Sequence, residues 1–140
     1  MPAIHIELTS EPILSNQLSQ LVSDPGCGAT VTFLGTVRDE HYGKPVDRLE
    51  YAAYSSMAES EMKKIAEELI CRWSAKSVSM VHRLGVLEIG ETSIGIAISF
   101  PHRAESFEAL KFAIDTFKET VPIWKREFFS NGEAIWVEGS

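Results

Sequence analysis

Apolar and polar residues repeat along this chain at two periods, and the switches between them mark out its elements. Ile4, Ile6 and Leu8 alternate with polar neighbours, which predicts a strand over residues 3–8. Ser10-Glu11-Pro12 then offers an N-cap, an acid and a proline for the first turn of a helix. Ile13, Leu14, Leu18, Leu21 and Val22 continue it at helical spacing, and Asp24-Pro25-Gly26 ends it. Residues 28–37 are rich in Thr and Val, with Phe33 among them, and read as a buried strand that delivers Arg38 at its end. Residues 39–44 read as a polar loop with Gly43, and 46–54 as a second strand.

Residues 56–75 carry the clearest helical period, with Ala58, Met62, Ile65, Leu69 and Trp73 on one stripe and Ser56 with Glu59 as a capping box. A strand follows over 77–84, then a short turn segment bracketed by Gly85 and Gly90. In the strand over 93–100, Ile94, Ile96 and Ile98 share one face. The other face is small (Gly95, Ala97, Ser99), so another element is expected to approach closely there. Residues 104–120 predict a helix with Phe107, Leu110, Ile114, Phe117 and Val121 as its buried stripe. Residues 123–129 and 133–137 predict a hairpin turning at Ser130-Asn131-Gly132. This order indicates an α+β fold: helices packed on a mostly antiparallel sheet, closed by a C-terminal β-hairpin.

Composition narrows the function. A chain of 140 residues, 44% hydrophobic and 24% charged, suits a single domain spanning 1–140. Its net charge of −7 argues against nucleic acid, whose phosphates need a broad basic face. Cys27 and Cys71 match neither a disulfide framework nor a metal pattern, and are expected to be small buried hydrophobes. A reducing, cytoplasmic setting is expected, since Met1-Pro2-Ala3-Ile4-His5 does not resemble a signal peptide and no stretch is long enough for a bilayer. His5, His41, His82 and His102 show no metal-ligand spacing, so neither a metal nor a resident cofactor is expected.

Against that acidic background, Lys118, Lys125 and Arg126 fall within nine positions, interleaved with Pro122, Ile123 and Trp124. These cations are read as facing an anionic ligand. A partly buried lysine crowded by other cations holds its proton less tightly and can transfer it near neutrality. His102 and Arg103 sit where a strand meets a helix N-terminus, a place that favours anions. Arg103 and Lys118 are fifteen residues apart on one helix. That is roughly 20 Å at about 1.5 Å per residue, so they cannot meet on one small ligand. Either the ligand is extended or a second chain completes the site. The residues alone leave three functions open: an enzyme, a non-catalytic module for a phosphorylated metabolite, and an adaptor.

Several stretches together resemble the large, catalytic subunit of molybdopterin synthase. They are Phe33-Leu34-Gly35-Thr36-Val37-Arg38, Leu49-Glu50-Tyr51-Ala52-Ala53-Tyr54, Met57-Ala58-Glu59, His82-Arg83-Leu84-Gly85, His102-Arg103, Phe107-Glu108-Ala109, Lys118, Pro122-Ile123-Trp124-Lys125-Arg126-Glu127 and Trp136-Val137-Glu138. The resemblance implies an α/β-hammerhead fold and a central homodimer. Each end would bind a small ubiquitin-like sulfur-carrier subunit, giving a heterotetramer. The carrier's C-terminal Gly-Gly thiocarboxylate would enter the pocket and pass sulfur to cyclic pyranopterin monophosphate, forming the molybdopterin dithiolene of molybdenum cofactor biosynthesis. The resemblance assigns Lys118 and Lys125 as catalytic lysines. Thr36, Val37, Arg38, His102, Arg103, Arg126 and Glu127 fall at its substrate-contact positions.

Overall fold

The computed structural model describes residues 2–138. In chain order the elements are β1 (Ala3–Thr9), α1 (Ser15–Leu21), β2 (Ala29–Thr36), β3 (Glu40–His41), β4 (Lys44–Ala53), α2 (Ser55–Trp73), β5 (Ser77–Arg83), β6 (Gly85–Glu88), β7 (Thr92–Phe100), α3 (Ser106–Thr120), β8 (Ile123–Phe129) and β9 (Ala134–Glu138). The fold is α+β, and among the described residues every strand pair is antiparallel except β1 with β5.

The first sheet runs β1-β5-β7-β2. One face (Val78, Met80, Ile96, Ile98) packs against the α2 stripe of Ala58, Met62, Ile65, Leu69 and Trp73 and against Phe117 of α3. Each such side chain, fully removed from water, contributes on the order of 1.5–3 kcal/mol. The other face is covered by α1, whose Leu18, with Val22 just beyond it, meets Val81 and Ala97. The expected close approach is real: a Cβ on Gly95 would lie 2.8 Å from Leu18 Cδ2. Covered on both faces, β5 has no solvent side, and residues 77–82 are all buried.

The second sheet runs β3-β4-β8-β9, with β6 also paired to β4. β8 and β9 form the closing hairpin. In the β4–β8 register Leu49 faces Glu127 and Tyr51 faces Lys125.

Six expectations are corrected. The first helix begins at Ser15: the Glu11 N–H bonds Thr9 Oγ1 at 3.0 Å, and Leu14 is still extended. α2 begins at Ser55 with Tyr54 at its cap and no side-chain cap bond, so the Ser56–Glu59 box does not form. The turn segment after Gly85 is a strand, and the loop before Lys44 holds the two-residue β3. Phe107 is 77% exposed; α3 turns Ser106, Ala109 and Ala113 inward instead. Small residues there let the helix lie close to its neighbours. Cys71 is exposed and Cys27 only partly covered, so neither is a core residue.

Candidate active site

Successive side chains of a strand point to opposite faces. On β8 this puts Ile123, Lys125, Glu127 and Phe129 on one side and Trp124, Arg126 and Phe128 on the other. Glu127 is only 4% exposed. A carboxylate taken out of water needs a partner, and Glu127 Oε1 accepts from His41 Nδ1 at 2.6 Å. Lys125 is held below the usual lysine range, chiefly by burial, while the charge of Glu127 opposes the shift. The Arg38 and Lys118 cations add to the lowering, so both stand close enough to repel it. Tyr51, opposite Lys125, is pushed above the usual phenol range by burial and by the nearby Glu127, against a hydrogen bond from Ser93.

Three elements deliver the cations. Arg38 leaves β2 just past a register shift between Gly35 and Thr36, a bulge that re-aims the chain. Backbone bonds pin its predecessor: Val37 N–H to Glu91 O at 3.0 Å, and Gly90 N–H to Val37 O at 2.8 Å. Lys118 stands in the last turn of α3, where a cation complements the helix dipole. Pro122 follows and the chain straightens into β8. Lys118 also lines a cavity of about 530 Å³ with Tyr54, Trp124 and Trp136. The Tyr54 and Trp124 rings meet edge to face there, their centroids 4.8 Å apart.

His102 and Arg103 lie elsewhere. They follow β7 and line a second cavity of about 460 Å³ with Gly28 and Ala104, at the opposite end of α3 from Lys118. Gly28 N–H bonds Pro101 O at 3.1 Å, tying the start of β2 to this loop. The cations thus fall into two groups in one chain.

Two resemblance-derived positions fall outside both groups. Val37 is a core side chain, 3% exposed, with both backbone groups bonded. Arg126 packs on the opposite face of β8 from Lys125, between the rings of Phe128 (4.9 Å) and Trp136 (5.8 Å). Thr36 is exposed at the end of β2, beside Arg38.

His41 was not singled out by the sequence. It stands on β3 ahead of a two-residue turn, Tyr42-Gly43, in which both residues have positive φ (50° and 77°). That is the hairpin-favoured conformation, and a non-glycine residue there is strained. A Gly following a polar run was the available signal. The partner of His41, 86 residues away, was not.

Comparison with known proteins gives concordant findings. A family model described as MoaE protein matches residues 8–120. The molybdopterin synthase catalytic subunit of Taeniopygia guttata is 49% identical, over 98% of this chain and 88% of that protein. The Homo sapiens molybdopterin synthase catalytic subunit is 44% identical, over 96% of this chain and 76% of that protein. The crystal structure of molybdopterin synthase from Staphylococcus aureus superposes with a TM-score of 0.88 at 38% identity, covering 94% of this chain and 95% of that one.

Proposed function

The chain belongs to the MoaE family of molybdopterin synthase catalytic subunits, and on that premise we propose the chemistry its residues perform. Sulfur passes from the C-terminal Gly-Gly thiocarboxylate of a small ubiquitin-like carrier subunit to cyclic pyranopterin monophosphate. The observation that carries this reading is the crowding of Arg38 and Lys118 against the half-buried Lys125. Cations held together at a cost in mutual repulsion suit a pocket that receives both a phosphate and a thiocarboxylate.

In this reading the cavity beside Lys118 admits the carrier tail. Lys118 stabilises negative charge developing on the thiocarboxylate carbonyl and moves a proton. Lys125 orients the substrate and supports Lys118, with Glu127 retaining enough positive charge on it to do so. Thr36, Arg38, His102 and Arg103 hold the phosphate and pterin. Arg126 supports the strand from behind.

A homodimer reconciles the two cation groups. β2 is an edge strand, and among the described residues no strand pairs with its outer side. It carries Arg38 just past one end and the Gly28–Pro101 contact just before the other. Antiparallel pairing of two β2 edges about a two-fold axis would set Arg38 of one copy beside His102 and Arg103 of the other. Two such copies with two carriers make the heterotetramer. Among the described residues no helix is long and apolar enough to cross a membrane. The free thiols of Cys27 and Cys71 suit a reducing cytoplasm.

The test mixes the protein with thiocarboxylated carrier and the cyclic pterin, then measures molybdopterin by the fluorescence of its oxidised form. Lys118→Ala is expected to abolish product while leaving carrier binding intact. Near-wild-type turnover by that variant refutes the assignment.

A further inference from the structure

His41 forms a carboxylate–imidazole pair with Glu127, and the roles above leave this imidazole without a task. A carboxylate accepts, so the shared proton sits on His41 Nδ1 and the ring's other nitrogen, Nε2, is the basic one. Nε2 has no partner among the described residues and does not appear among their buried unpartnered atoms, so it is open to solvent. Glu127, 4% exposed, sets the orientation of the ring from below. The face of Tyr42 stacks on it at 4.3 Å and limits its rotation from the side. Tyr42 holds this place at φ 50°, the left-handed conformation that the two-residue hairpin turn between β3 and β4 requires.

The pair borders the cation group. Glu127 is two residues from Lys125 on the same face of β8. That separation is roughly 7 Å along a strand, and the Glu127 charge acts on the Lys125 ammonium. An imidazole oriented by a buried carboxylate, with its other nitrogen reached by water, is the arrangement that activates a nucleophile.

Sulfur transfer needs such a base at one step. Once the thiocarboxylate sulfur has bonded to a pterin carbon, the carrier is still attached through an acyl–sulfur bond. We propose that His41, oriented by Glu127, is the base that activates the water releasing the carrier from this thioester. The water oxygen bonds to the acyl carbon and its proton moves to Nε2. The carbon–sulfur acyl bond then breaks with its electron pair passing to sulfur, leaving a pterin thiolate and a carrier carboxylic acid, whose remaining proton passes to solvent to give the carboxylate. The proton on Nε2 returns to the thiolate or to solvent, so no oxidant or reductant enters. This step rests on the sulfur-transfer reading above.

The experiment is a single turnover of the protein with thiocarboxylated carrier and cyclic pterin, followed by intact-mass spectrometry. Wild-type protein is expected to yield free carrier carboxylate and pterin product. His41→Gln is expected to accumulate a carrier–pterin adduct and to hydrolyse it about 100-fold more slowly or worse, the usual contribution of a general base. Glu127→Gln keeps an acceptor for Nδ1 but removes the charge, so the same adduct is expected with a smaller delay. Thermal melts of both variants establish that they are folded. Adduct hydrolysis by His41→Gln within threefold of wild type overturns the proposal. So does loss of the first transfer together with release in His41→Gln, with no adduct, since that is the outcome of a purely structural latch. If wild-type protein forms neither product nor adduct, the functional reading itself fails and this step falls with it.

Discussion

His82 stacks face to face on Phe117, with ring centroids 5.7 Å apart and planes 9° from parallel. Its Nδ1–H donates to the Arg83 carbonyl at 2.8 Å, which leaves Nε2 bare, buried and without a partner. Tyr51 closes the other side, edge-on at 4.8 Å. The helix residue after Phe117 is Lys118, a proposed catalytic lysine.

That environment gives a pH-dependent stability. Burial lowers the His82 pKa from 6.5 to about 4. Between those values the unfolded chain binds a proton that the folded chain refuses. Stability is therefore complete above pH 6.5 and declines as pH falls toward 4. A shift of that size corresponds to about 3 kcal/mol in all. Urea unfolding of wild type and His82→Phe at a series of pH values is expected to show a steeper decline in wild type across this window. Parallel slopes would mean that His82 is not what resists the proton.

Lys125 offers a titration with two opposite levers. Burial disfavours its charge most, Arg38 and Lys118 add to that, and Glu127 counters it. Removing a repelling neighbour should raise its pKa, so Arg38→Ala is expected to move the Lys125 titration upward. Removing the attracting neighbour should lower it, so Glu127→Gln is expected to move it downward. NMR titration of the lysine side chains in the free protein reads both without substrate. Shifts of the same sign in both variants would show that the two side chains do not act on Lys125 through their charges.

Arg126 separates the two faces of β8. Its guanidinium lies over the Phe128 and Trp136 rings, while Arg48 stacks on Phe128 from the neighbouring strand at 4.1 Å. A planar guanidinium stacks where a lysine ammonium does not. Arg126→Lys is expected to cost on the order of 0.5–2 kcal/mol in a thermal or urea melt. The rate of sulfur transfer should stay within threefold of wild type. A rate loss matching that of Lys125→Ala would put the guanidinium in the reaction instead.

These residues also show what a sequence can and cannot expose. The α2 stripe was legible because Ala58, Met62, Ile65, Leu69 and Trp73 repeat over several turns, and all five are buried. β6 and β3 were not, since four and two residues are too short for any period to establish itself. On α3 the large Phe107 fits the helical period of the apolar residues, although close packing selected Ser106, Ala109 and Ala113 for the inner face beside Phe117. The cations themselves stood out against the acidic chain. What stayed hidden was partnership: Glu127 looks like any strand acid until β3 folds His41 over it, and Arg126 looks like a neighbour of Lys125 until the pleat turns it away. Pairings across the fold carry no local signature.

The separation of His102 and Arg103 from Lys118 permits a decisive mixing experiment. If each site takes Lys118 from one copy and Arg103 from the other, Lys118→Ala and Arg103→Ala homodimers are both inactive. A mixed dimer then has one doubly defective site and one intact site. Random exchange of subunits makes half the dimers mixed, so the mixture should recover about a quarter of wild-type sulfur transfer. Sites built within one chain give a different result, because every chain in the mixture carries a lesion and no exchange repairs it. Activity measured before and after denaturation and refolding of the mixture distinguishes the two. Recovery places the reaction across the two-fold axis, and none confines it to a single copy, with the β2 edge free for another partner.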